Sequence, residues 1–101
     1  MQFAETLFIA ENVDNQAKVI KALKARKKPF NLYLIAYDLN GSTSLMEVLS
    51  VDEVFNSVNK KRSLRIIGLA YGKLEAFDLV KEIIDSALSR QIDIKSFIKK
   101  L

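Results

Sequence analysis

Residues 30–39, FNLYLIAYDL, constrain the fold more than any other segment. The run is apolar at nearly every position, carries three aromatic rings, and is bounded by Pro29 before it and Asn40-Gly41 after it. Too short and too rich in strand formers for a buried helix, it reads as a central β-strand. A strand apolar on both sides needs cover on both faces, or on one face with Tyr33 and Tyr37 at a wet edge. Whatever the chain folds into must place a layer against this strand.

The neighbouring segments supply the layers. Residues 6–10, TLFIA, read as a first strand, and Asp14 as the N-cap of an amphipathic helix with Ala17, Val19, Ile20 and Leu23 on its apolar side. That helix is expected to run to about Lys27, because Lys28 precedes Pro29 and is pushed out of helical geometry. After the central strand, residues 40–44 (NGSTS) have hairpin chemistry and lead into LMEVL at 45–49, read as a short antiparallel strand. Leu45, Val48 and Leu49 are also helically spaced, so a helix from Ser44 is the competing reading. Ser50 and Glu53 form an S-x-x-E capping box ahead of Val51, Val54, Phe55 and Val58, the stripe of a short helix. LRIIGLAYG at 64–72 is a further strand. Ala76, Phe77, Val80, Ile83, Ile84, Ala87 and Leu88 then mark a long helix, whose Glu75, Asp78, Lys81, Glu82 and Asp85 are spaced to pair with one another. Asp93 caps a last short helix bearing Ile94, Phe97, Ile98 and Leu101.

The element order β-α-β-β-α-β, followed by helices, predicts an α+β protein. The specific expectation is a ferredoxin-like split βαβ arrangement with a C-terminal helical extension, in a single domain over 1–101. The alternative is a small three-stranded parallel α/β sheet, in which residues 45–49 are helical. In the ferredoxin-like form one sheet face needs a further cover, which the C-terminal helices or a second copy of the chain would supply.

From Leu32 onward the chain resembles a group of small bacterial α/β proteins. The resemblance is carried by LYLIAYD at 32–38, RIIGLAYGKLEAFDLVKEII at 65–84 and DIKSFI at 93–98. Its most specific part is a strand ending Gly-x-Ala-x-Gly before a helix that begins Lys-x-x-Ala and continues Leu-Val-x-x-Ile. It leaves residues 1–30 unmatched, and it implies a compact α/β fold and no chemistry.

Composition excludes more chemistry than it suggests. With no His and no Cys, the chain cannot by itself form a Ser-His-Asp triad, a Cys nucleophile or a thiolate or imidazole zinc site. No catalytic residue, metal ligand or cofactor is assigned. The absence of Cys fits a reducing compartment, and MQFAETLFIAE lacks the basic start of a signal peptide and carries Glu5 and Glu11. The expectation is a cytoplasmic protein that does not enter membranes.

Charge is distributed unevenly. Lys18, Lys21, Lys24, Arg26, Lys27 and Lys28 crowd one segment, and Lys60, Lys61, Arg62 and Arg65 another, so the net charge of +4 hides two strongly basic stretches in an otherwise acidic chain. Lys21, Lys24, Lys28, Lys61 and Arg62 are the candidates for a polyanion or nucleic-acid surface, although no aromatic residues interleave with them to stack on bases. Gly72 and Lys73, at the turn into the long helix, are a candidate phosphate site by virtue of the helix N-terminus. The turn lacks the full spacing and hydroxyl of a phosphate-binding loop, and a tight turn is the plainer reading. Asp38 and Glu47 would face each other across the hairpin and share a proton or hold a hard metal. The leading expectation is a small non-enzymatic interaction module, self-associating as a homodimer through its sheet. The alternatives are a polyanion binder and a phosphate-ligand site at 71–74.

Overall fold

Leu32, Leu34, Ile35 and Ala36 are completely buried because their strand lies inside a sheet with helices packed on each side. The computed structural model describes residues 1–41 and 46–101. In chain order its elements are β1 (Gln2–Ile9), α1 (Gln16–Lys24), β2 (Leu32–Asp38), β3 (Glu47–Ser50), α2 (Val51–Val54), a 3-10 turn (Asn59–Lys61), β4 (Leu64–Tyr71), α3 (Lys73–Ser89) and α4 (Ile94–Lys99). Most of the 40–44 turn and residue 45 lie outside the described residues. Residues 47–50 pair with β2 as an antiparallel strand, so the competing helix does not form there.

The protein is α+β, with a four-stranded mixed sheet in the order β1-β4-β2-β3. This order corrects the ferredoxin-like expectation. β1 runs parallel to β4, and β4 runs antiparallel to β2. β1 and β2 therefore flank β4 but point in opposite directions, whereas a split βαβ unit needs them parallel. Only the second half of the chain makes such a unit: β3 and β4 run the same way on either side of β2. In the first half the chain turns back: α1 ends after nine residues, and the connection to β2 contains two left-handed positions, Arg26 and Asn31.

One face of the sheet carries α1 and α2; the other carries α3 and α4. Phe3 lies beneath Lys24 of α1, while Phe8 meets Phe97 of α4 edge to face, with ring centres 6.3 Å apart. Ile67 is the extra residue of a bulge in β4, between the pairs Ile35–Gly68 and Ala36–Ile66. The bulge turns Gly68 toward α3. A Cβ there would sit 3.1 Å from both Ile35 Cδ1 and Leu79 Cδ2, so the glycine is what lets the helix approach the strand. Both faces are thus covered within the chain, the C-terminal helices supplying the second layer.

Capping sets the helix ends. Asn15, not Asp14, caps α1, its side chain accepting from the Lys18 N–H. α1 ends at Lys24, earlier than Pro29 requires, in a Schellman turn: Lys27 N–H donates to Ala22 O and Arg26 N–H to Leu23 O, with Arg26 at φ 59°. α3 ends the same way, Ile92 N–H donating to Ala87 O around Gln91 at φ 55°. Both left-handed positions favour glycine, and Gln91 is exposed. Gln91→Gly is expected to raise stability by roughly 0.5 to 1 kcal/mol, read as a higher urea midpoint. The predicted capping box of α2 is present, but the helix closes after Val54, and Val58, expected in the core, is 69% exposed.

Candidate functional site

The two basic segments meet at one groove. α1 buries Val19 and Leu23 against the sheet, which leaves Lys24 and Arg26 at the end of the helix nearest the start of β1. The connection from α2 to β4 approaches the same place from the other side. Asn56 Oδ1 accepts the Asn59 N–H, and Asn59 Nδ2 donates to Glu53 O, which fixes the turn bearing Lys60. Between them lies a groove of about 510 Å³, with Phe3, Leu23, Val54, Phe55 and Leu64 as its apolar part and Lys24, Arg26 and Lys60 among its polar lining. Lys24 Nζ stands 5.8 Å from the centre of the Phe3 ring, a cation–π arrangement that holds the ammonium over the apolar surface. None of these three cations has a carboxylate within 4 Å among the described residues.

Arg62 also reaches the groove, but its charge is already engaged. Its Nε donates to Asp38 Oδ2 at 3.2 Å, its Nη1 to Asn59 Oδ1 at 2.9 Å, and both terminal nitrogens to Glu47. Asp38 and Glu47 do lie on one sheet face, as the hairpin reading expects. The guanidinium between them makes an ion cluster in place of a proton-sharing pair. The Asn40 N–H, donating at 3.0 Å, and next Arg62 hold the Asp38 carboxyl below the usual carboxylate range, while Glu47 above all pushes the Arg62 guanidinium up. Because the folded Asp38 pKa is depressed, the stability it contributes is complete above about pH 4 and is lost as pH falls through the folded value. In Arg62→Leu the acid-side loss of stability is expected to shrink, leaving the part that Asn40 supplies, and stability at neutral pH to drop by roughly 1 kcal/mol. Urea melts across pH 2 to 7 measure both.

The remaining sequence candidates disperse. Lys21 and Lys61 are exposed and do not line the groove; Lys28 lies 3.4 Å from Asp52 in an exposed ion pair. The anion-binding candidates Gly72 and Lys73 sit where α3 begins, with Gly72 at φ 90°. The Gly72 N–H already donates to Asn31 O at 2.8 Å. Beside it, the Asn12 side chain takes both the N–H and the carbonyl of Tyr71. The turn is fastened to two loops. Among the described residues no group of His, Cys, Asp and Glu is arranged to hold a metal, and no helix is long and apolar enough to cross a membrane.

Sequence reasoning marked Lys24 and Arg62 but missed the aromatic part of the groove. Phe3 lies twenty-one residues before Lys24, and Phe55, though near Lys60 in sequence, carries the spacing of a core stripe, so no local pattern joins the two rings. No protein-family model matches this chain, and no curated protein or solved structure matches it significantly.

Proposed function

We propose that this protein is a small non-enzymatic interaction module that holds an acidic, partly apolar polypeptide segment in the groove between α1, β1 and the turn before β4. The observation that carries the reading is the convergence of Lys24, Arg26 and Lys60, without carboxylate partners among the described residues, on the apolar floor of a groove of about 510 Å³. Apolar anchors would occupy the floor and carboxylates the cationic lining, which fixes register and speeds encounter. Arg26 supports the reading: its left-handed position is one where glycine is the stabler residue, yet it places a guanidinium at the groove.

A nucleic-acid ligand fits less well. Tight duplex or single-strand binders neutralise about 6 to 10 phosphates, whereas Arg62 is committed to Asp38 and Glu47, which leaves Lys24, Arg26 and Lys60 as the groove's free cations among the described residues. The cysteine-free composition supports a cytoplasmic setting, and the likeness to small bacterial α/β proteins belongs to the same proposal. Self-association is also part of it. With both sheet faces covered by the chain's own helices, a second copy is expected at another surface.

The test uses a fluorescein-labelled peptide alternating Glu and Asp with Leu and Phe, titrated by anisotropy, beside a labelled oligonucleotide. The peptide is expected to bind at low salt and to weaken with added salt. Lys24→Glu with Lys60→Glu should reduce its affinity roughly tenfold or more. Arg26→Gly is expected to weaken the peptide while raising the unfolding midpoint, because it removes a cation and a backbone strain together. Peptide affinity unchanged by these substitutions, or tighter binding of the oligonucleotide than of the peptide, overturns the reading.

A further inference from the structure

We infer that the groove's partner can be a second copy of this chain, which presents the outer side of α3, so that copies associate head to tail. The inference rests on the acidic-segment reading above and names its occupant. On α3, Leu74, Phe77 and Leu88 are 79%, 50% and 63% exposed, and at spacings of three and eleven residues they lie along one side of the helix. Beside them runs a ridge of exposed carboxylates, Glu75, Asp78, Glu82 and Asp85. None of the four has a cation within 4 Å among the described residues, although Lys73 and Lys81 are on the same helix. The pairing that their spacing allows is not made.

α3 therefore offers what the groove would take: apolar side chains next to unpaired negative charge. The groove lies on the sheet face that carries α1 and α2, and α3 lies on the opposite face, so one chain cannot satisfy itself. Charge decides the mode of association. A two-fold pairing of α3 with α3 would set four carboxylates against the same four, with only Lys73 and Lys81 to offset them. Pairing of α3 with the groove sets those carboxylates against Lys24, Arg26 and Lys60. Such a heterologous contact leaves an unused groove at one end and an unused helix at the other, so it closes into a ring or continues to grow.

Sedimentation velocity of the full chain tests this, using two variants on exposed positions. Lys24→Glu with Lys60→Glu alters only the groove; Asp78→Lys with Glu82→Lys alters only the helix. Circular dichroism verifies that each is folded. The wild type is expected to show an average mass above 11.5 kDa that rises with concentration at low salt and falls toward that value as salt is added. Each variant alone should remain a monomer. Mixed in equal amounts they should associate again, since the unaltered helix of one meets the unaltered groove of the other and the two reversed surfaces are complementary to each other. A wild type that is monomeric at every concentration overturns the inference, as does association of either variant to the wild-type extent, or a mixture that stays monomeric. The acidic peptide titrated into the helix variant separates the two levels. Binding there without self-association of the wild type defeats this inference alone, and no binding there defeats the groove reading beneath it.

Discussion

Gly68→Val is expected to destabilise the protein by about 3 kcal/mol, lowering the thermal midpoint by roughly 12 to 20 °C. A single Cβ at this position already comes within 3.1 Å of Ile35 Cδ1 and Leu79 Cδ2 and 3.3 Å of Ile35 Cβ. The side-chain ends can shift by a few tenths of an ångström, which is why Gly68→Ala has a small effect of either sign. Valine adds two methyl groups where none fits, and α3 must lift from the sheet. Leu79→Ala in the same chain should restore part of the loss, a coupling that only contacting residues show. Urea unfolding of the single and double variants checks it; a loss under 1 kcal/mol for Gly68→Val would mean that α3 is not seated on β4 at this residue.

Phe97→Ala is expected to cost about 3 kcal/mol and to expose apolar surface. Phe97 is buried, meets Phe8 edge to face, and lies under the Arg90 guanidinium, 5.8 Å from the ring centre. It is the anchor by which α4 covers the β1 side of the sheet. Arg65 adds a second tie, donating from Nη2 to Leu101 O at 2.7 Å. Without the ring, hydrogen exchange should accelerate first in α4 and around Phe8, and a hydrophobic dye should bind before global unfolding. Uniform acceleration across the whole sheet would show that α4 is not a separable cover.

Much of this architecture is legible in the sequence, and the illegible parts share a cause. β2, β4 and α3 announce themselves because their burial is complete or strictly periodic. β1 extends over Gln2–Ile9, not merely 6–10, because an edge strand need not alternate cleanly; its pairing jumps from Phe3–Ile66 to Phe8–Gly68. α1 ends early at a Schellman turn whose left-handed residue is Arg26, where only a glycine would have signalled it. Val58 has the spacing of a core residue but falls after Asn56, whose side chain takes the Asn59 N–H and turns the chain. Strand direction is not encoded locally at all, so the order of elements was readable and the order of strands was not. The same holds for the groove: its cations are visible as two clusters, whereas their meeting over Phe3 and Phe55 is a product of the fold.

The position of β4 between β1 and β2 has a consequence for how the molecule forms. Gln2 pairs with Arg65 and Ile9 with Leu69, so β1 has no strand partner until residues 65–69 have been made. Only the β2–β3 hairpin can assemble earlier. β4 must then insert between two segments already synthesised, closing a loop of some sixty residues before its contacts on either side reward it. Until then β1 is a segment without a strand partner, and the arrival of β4 completes the sheet, leaving β1 paired on one side and β2 on both.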